Sequence, residues 1–181
     1  MTALAFGQLQ PVPARERPDL LGEPVRAFLE TWPAADQVVV VEIDPKLADT
    51  AAMTQAYGVP LEDSANCVVV SGRREGVERF AACLVRADTR ADVNNVVKRL
   101  LDVRKASFLA TQRAVDLSGM AYGGITPIGL PPSWRLLVSD LVATREQVVV
   151  GSGTRTGKLL LPGAALLRLP GAELVPDLAL R

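Results

Sequence analysis

Residues 119–132 read Gly119-Met120-Ala121-Tyr122-Gly123-Gly124-Ile125-Thr126-Pro127-Ile128-Gly129-Leu130-Pro131-Pro132, four glycines and three prolines in fourteen residues. No helix or strand tolerates that mixture. Glycine frees the backbone, and proline fixes φ and removes a donor. The stretch therefore reads as a shaped loop, stiffened by Pro127. Glycines let a ligand approach the backbone, and the bared N–H groups can hold an oxyanion or a carbonyl. The plainer reading is a rigid connection between a helix and a strand.

Outward from the loop, the chain alternates hairpin-like and helical signals. Before it, residues 111–118 suit a short helix that Gly119 ends. After it, residues 136–138 and 147–150 are strand-like, 151–157 (GSGTRTG) is a turn, 158–161 a further strand and 163–169 a last short helix. Upstream, Val93, Val96, Val97, Leu100 and Leu101 fall at i, i+3, i+4, i+7 and i+8, an apolar helix stripe over residues 92–101. Residues 65–71 and 77–85 are strands, and the polar residues 72–76 between them have hairpin length. Residues 37–43 (QVVVVEI) make another strand. Asp49 or Thr50 can cap a helix through Tyr57, with Gly58 as its stop. Residues 24–29 suit a first short helix. Residues 1–23, with Pro11, Pro13 and Pro18, read as an irregular, loosely packed arm. The pattern predicts one α+β domain over residues 24–181, on a largely antiparallel or mixed sheet.

Composition narrows the chemistry. The 181 residues fit one domain, and 49% hydrophobic with 22% charged residues is ordinary globular composition. Lys+Arg and Asp+Glu both number 20, so a broad, charge-driven grip on nucleic acid is not expected, nor a DNA partner. The count of histidines is zero, which excludes His-based triads, His metal ligands and His acid–base catalysis. Two cysteines, Cys67 and Cys83, cannot build a four-ligand zinc site and sit in apolar runs suited to buried thiols. Neither a metal nor a cofactor is expected. No apolar run approaches the roughly 20 residues a membrane span needs. The N-terminus lacks the order of a signal peptide, so a cytoplasmic location is the expectation.

Other places invite chemistry. Gly151-Ser152-Gly153-Thr154-Arg155-Thr156-Gly157-Lys158 superficially suggests a phosphate loop, but Leu159 follows Lys158 and a strand follows the turn. A hairpin turn is the plain reading, with Arg155 and Lys158 as phosphate contacts. Asn66-Cys67 opens an apolar strand, and a buried structural thiol is the expectation there. Ser139-Asp140 follows a short strand and serves equally well as a site or as an N-cap. Residues 88–94 read as a charged helix start with Asp92 near the positive end.

The loop string at 119–130, with this order of elements, resembles the YbaK-type aminoacyl-tRNA deacylases. These are free-standing relatives of the bacterial prolyl-tRNA synthetase editing domain, and the resemblance covers residues 24–170. It implies a partly barrel-like sheet core with flanking helices. It also implies trans-editing, the hydrolysis of a mischarged tRNA ester, often a small amino acid on tRNA-Pro. The family's Gly-x-x-x-Pro falls on Gly123 and Pro127 and holds the aminoacyl end. Attack by water or by the substrate's own ribose hydroxyl needs no histidine. Where the family usually has a lysine at the start of its strand, this chain has Asn66, a neutral amide that donates and accepts hydrogen bonds. Where it has an aspartate after a later strand, Ser139 falls, with Asp140 next. The implied reacting set is Asn66, Gly123, Gly124, Ser139 and Asp140. Ile125, Thr126, Pro127, Gly153, Arg155 and Lys158 would bind substrate, with Lys98 as a further phosphate contact. The implied partner is an aminoacyl-tRNA acceptor end, with a synthetase as a second. Two other readings compete: a catalytically inactive module that binds an acceptor end or a synthetase, and an esterase for free amino-acid esters. Gly123→Val is expected to block the pocket and leave the fold intact.

Overall fold

The computed structural model describes residues 10–180; the first nine residues of the expected arm, and Arg181, lie outside the described residues. In chain order the strands are β1 (Val12–Pro13), β2 (Val39–Glu42), β3 (Ala65–Arg74), β4 (Val77–Arg86), β5 (Arg90–Ala91), β6 (Ala106–Phe108), β7 (Arg135–Ser139), β8 (Val148–Gly151), β9 (Gly157–Leu161), β10 (Ala172–Val175) and β11 (Ala179–Leu180). The helices are α1 (Glu23–Thr31), α2 (Thr50–Tyr57), α3 (Lys98–Leu100), α4 (Thr111–Ser118), α5 (Asp140–Ala143) and α6 (Gly163–Leu166).

Strands apolar at nearly every position cannot keep one face wet, so both faces must be covered. The chain does this with two sheets. One is antiparallel throughout, in the order β1-β2-β9-β8. The other is mixed, in the order β10-β7-β4-β3-β6, with β7 parallel to both β4 and β10. Alternate side chains point to opposite faces. Val40, Leu159 and Leu161 of the first sheet and Val69, Leu84 and Val138 of the second therefore meet in one central core, joined by Val25 and Leu29 of α1. The opposite faces bury Val41, Leu160 and Met53 in one case, and Val70, Cys83, Leu137 and Val97 in the other. A parallel bridge between Ser64 and Val149 ties the two sheets along one seam. The fold is thus the expected α+β arrangement of mixed and antiparallel sheets.

Local signals placed several elements closely. Asp49 caps α2 by accepting from the Ala51 N–H, and Gly58 ends it in the left-handed region at φ 67°. Gly119 ends α4 in the same way at φ 68°. Elsewhere the structure corrects the reading. The strands β3 and β4 run through the polar stretch to a two-residue turn, Glu75-Gly76, with φ of 52° and 81°. Both positive values belong to the turn whose twist matches a hairpin. Residues 92–101 are not one α-helix. A π-type turn, Val93–Val97, precedes α3: the Val97 N–H donates five residues back to the Asp92 carbonyl at 3.0 Å, and the Asp92 carboxylate caps the turn by accepting the Asn95 N–H at 3.1 Å. The apolar stripe still buries Val93, Val96, Val97 and Leu101. Residues 12–22 are packed rather than loose: β1 pairs with β2, and Ala14, Leu20 and Leu21 are buried.

Candidate functional site

A cavity of about 450 Å³ opens where five segments converge: the start of α2, the start of β3, the junction of β6 with α4, the Gly/Pro loop, and the turn between β8 and β9. Its polar lining comes from Asp49, Thr50, Asn66, Arg155 and Lys158, and its apolar lining from side chains such as Cys67, Val69 and Ile125.

The Gly/Pro loop and the β8–β9 turn are built as one unit. Ala121 donates to the Gly153 carbonyl at 2.9 Å, and Gly153 donates to the Gly124 carbonyl at 2.7 Å. The backbones run so close that a Cβ on Gly124 would lie 2.3 Å from the Thr154 carbonyl oxygen, and one on Gly151 would lie 2.4 Å from that of Gly124. These glycines therefore serve the approach of one loop to another, rather than the approach of a ligand. The turn's hydroxyls are also used internally. Thr154 Oγ1 lies 3.1 Å from both Ser152 Oγ and Thr156 Oγ1 and donates to the Leu20 carbonyl at 3.0 Å. That arrangement supports the hairpin-turn reading over the phosphate-loop reading.

Lys158 sits on β9 with its side chain directed to the cavity and only 4% of the residue exposed. Its Nζ donates to the Ala48 carbonyl at 2.8 Å and lies 3.5 Å from the Gly123 carbonyl, so it ties two walls together through neutral acceptors. An ammonium carries three donors, which leaves one for a bound molecule. Burial pushes this ammonium down to about 8; the Asp49 carboxylate opposes that shift and Arg155 adds to it. Asn66 Oδ1 accepts from the Thr50 hydroxyl at 2.8 Å, which commits the amide oxygen and leaves the two amide N–H groups as its donors. Burial pushes the half-buried Cys67 thiol well above its ordinary range, so it is held protonated. Arg155 donates to the Tyr122 and Pro45 carbonyls at 3.1 and 2.8 Å.

Of the residues singled out in the sequence, Asn66, Gly123, Ile125, Arg155 and Lys158 line this cavity. Gly124 and Gly153 stand behind it as the loop–turn contact. Thr126 and Pro127 are buried beneath it, the Thr126 N–H facing the Met120 sulfur at 3.5 Å. Lys98 lies in α3 and is not part of the lining. Ser139 and Asp140 are likewise not part of it. The buried Ser139 hydroxyl accepts from the Leu141 N–H at 3.3 Å and caps α5, which is the N-cap alternative. Lys158, expected as a phosphate contact, is a buried cation of the cavity lining. Gly123 has φ of +76°, and a Cβ there would meet Arg155 Nη1 at 2.9 Å, so Gly123→Val strains the loop and does not leave it intact. Sequence reading missed Asp49 and Thr50, which it saw only as helix caps, and Phe108, Leu109 and Tyr122. Tyr122 lay inside the quoted loop; nothing local marked Phe108.

Residues 44–169 match the model of the aminoacyl-tRNA editing domain. The chain belongs to that family. Among curated proteins it is 25% identical, over 125 residues, to the multifunctional Ser/Thr-tRNA deacylase ProXp-y of Escherichia coli (strain K12), which spans 68% of this chain and 74% of that one. The crystal structure of hypothetical protein APE2540 superposes with a TM-score of 0.75 at 20% identity, covering 87% of this chain and all of that one. A protein described as a candidate trans-editing enzyme for prolyl tRNA synthetase gives 0.71 at 23% identity, covering 86% and 94%. These likenesses at low identity establish that this editing-domain member shares their fold. Among the described residues, no helix is long and apolar enough to cross a membrane.

Proposed function

We propose that this editing-domain protein works in trans, hydrolysing the ester between a small amino acid and the 3′-terminal ribose of a mischarged tRNA, with tRNA-Pro as its first candidate. The observation that carries this reading is a cavity furnished with fixed hydrogen-bond donors, Lys158 Nζ and the Asn66 amide, whose thiol is held protonated and whose Thr50 hydroxyl is already committed to Asn66. Such a lining suits polarising a substrate for attack by water better than forming a covalent intermediate.

In this mechanism water adds to the ester carbonyl and the π electrons move onto its oxygen. Lys158 and Asn66 stabilise that oxyanion. Collapse breaks the ester C–O bond, and the departing ribose oxygen receives the proton that the water gives up. An aminoacyl ester is already activated, so a few donors, each worth roughly 10²–10³ in rate, suffice. Asp49, an acidic side chain in the lining, suits the substrate's α-ammonium. The Ser/Thr-tRNA deacylase named for the curated relative supports the choice of a small amino acid.

Incubation of the purified protein with a panel of mischarged tRNAs checks this. Loss of ester from at least one small aminoacyl-tRNA, well above the buffer rate, is the expected result. Binding of the panel without turnover would favour the inactive module, and cleavage of free amino-acid esters with indifference to tRNA would favour the esterase. Asn66→Ala should slow single-turnover cleavage about 10²-fold while costing only about 1 kcal/mol of stability, one hydrogen bond's worth. A full rate in this variant, measured by quenched-flow, would remove Asn66 from the reacting set.

A further inference from the structure

Phe108 and Tyr122 are 61% and 64% exposed, and among the described residues they are the only exposed aromatic side chains. Both line the same cavity, Phe108 from the end of β6 and Tyr122 from the Gly/Pro loop. Tyr122 is also braced: the Arg155 guanidinium lies 5.8 Å from its ring centroid and donates to its carbonyl at 3.1 Å. Arg155 itself is anchored to the Pro45 carbonyl. A ring held on one side by a cation and open on the other is a prepared stacking platform. Scattered aliphatic side chains on a surface call for no explanation, but two exposed rings at one polar cavity mark a flat, π-faced ligand.

We propose that Phe108 and Tyr122 form the seat of a nucleobase, the unpaired 3′-terminal base of the RNA whose ester enters the cavity. This rests on the deacylase reading and adds to it how the RNA end is gripped. The seat is local, which suits a chain with zero net charge. Single-stranded ends are the RNA elements that proteins recognise by stacking on aromatic rings and on the guanidinium plane.

The test separates gripping from chemistry. Equilibrium binding of a fluorescently labelled RNA trinucleotide ending in adenosine is measured for the wild type, Phe108→Ala, Tyr122→Ala, Tyr122→Phe and the double alanine variant. Each alanine variant should weaken binding about 5- to 100-fold, the double variant more, and Tyr122→Phe should restore it. Absence of measurable RNA binding by the wild type, or alanine variants that bind as the wild type does, would overturn the seat. If binding behaves as expected while no aminoacyl-tRNA is cleaved, the seat stands and the deacylase reading fails.

Discussion

Lys158→Met should cut ester cleavage by at least about a hundredfold, the usual cost of losing a donor to a developing oxyanion. The same substitution should reshape the pH dependence of stability. In the unfolded chain Lys158 titrates at its ordinary 10.5, and in the fold burial brings it to about 8. Between those values the unfolded chain holds more protons than the folded one. Stability of the wild type relative to the variant therefore rises as pH climbs from 8 to 10.5, and the penalty of burying the charge is fully present below 8. From pH 7 to pH 10 the difference should shift by on the order of 2 kcal/mol in favour of the wild type. Asp49 and Arg155 face Lys158 in both proteins, and their coupling to its charge is part of the difference measured. Urea titrations at the two pH values measure it, and a difference that stays flat would mean that the Lys158 amine is not desolvated. The rate profile provides a second check. If the ammonium is the working form, wild-type kcat/KM should lose an ionisation near pH 8 that the residual activity of the methionine variant lacks.

A large structural effect should come from Gly124→Ala. A methyl placed 2.3 Å from the Thr154 carbonyl oxygen, and 2.8 Å from that residue's carbonyl carbon and amide nitrogen, meets backbone that has nowhere to go. The loop and turn must part, and the bonds Ala121 N–H to Gly153 and Gly153 N–H to Gly124 go with them. A loss of about 3 kcal/mol or more is expected, together with loss of the cavity wall. Gly58→Ala is the matched control. Its φ of +67° is strained for alanine but nothing lies within 4 Å, so only about 1 kcal/mol should be lost. Equal melting of the two variants would show that the glycine at 124 is not there for close approach.

These two tests bear on what the sequence made legible. Continuous apolar, β-branched runs, Asp49 as a cap, and Gly58 and Gly119 as stops are local signals, and the elements they announced are present. Strand ends followed pairing instead: β3 and β4 extend through polar residues because each supplies the other's backbone partners up to a turn that only Glu75-Gly76 closes. Strands β6 and β10 are short pieces of three and four residues recruited onto an existing sheet, with no pattern of their own to declare them. The candidate site divides in the same way. Asn66 and Gly123 could be named from a string. The burial of Lys158 could not, since its depth depends on α2, the Gly/Pro loop and β9 meeting in space. Ser139 looked reactive because it follows a strand, and the same position is also where a following helix wants a hydroxyl for its first N–H groups.

The N-terminal segment carries one more consequence. The editing-domain match begins at residue 44, yet β2 ends before it and forms the neighbour of β9, and Gly22 donates to the Ser152 carbonyl at 2.8 Å from behind the turn. The span recognised by kinship is therefore smaller than the unit that folds. A chain trimmed to that span would bare a five-residue, mostly apolar strand edge on β9, the strand that holds Lys158, and such edges recruit other chains. What lies upstream acts as a selvedge: it finishes the cloth and keeps the working thread from fraying.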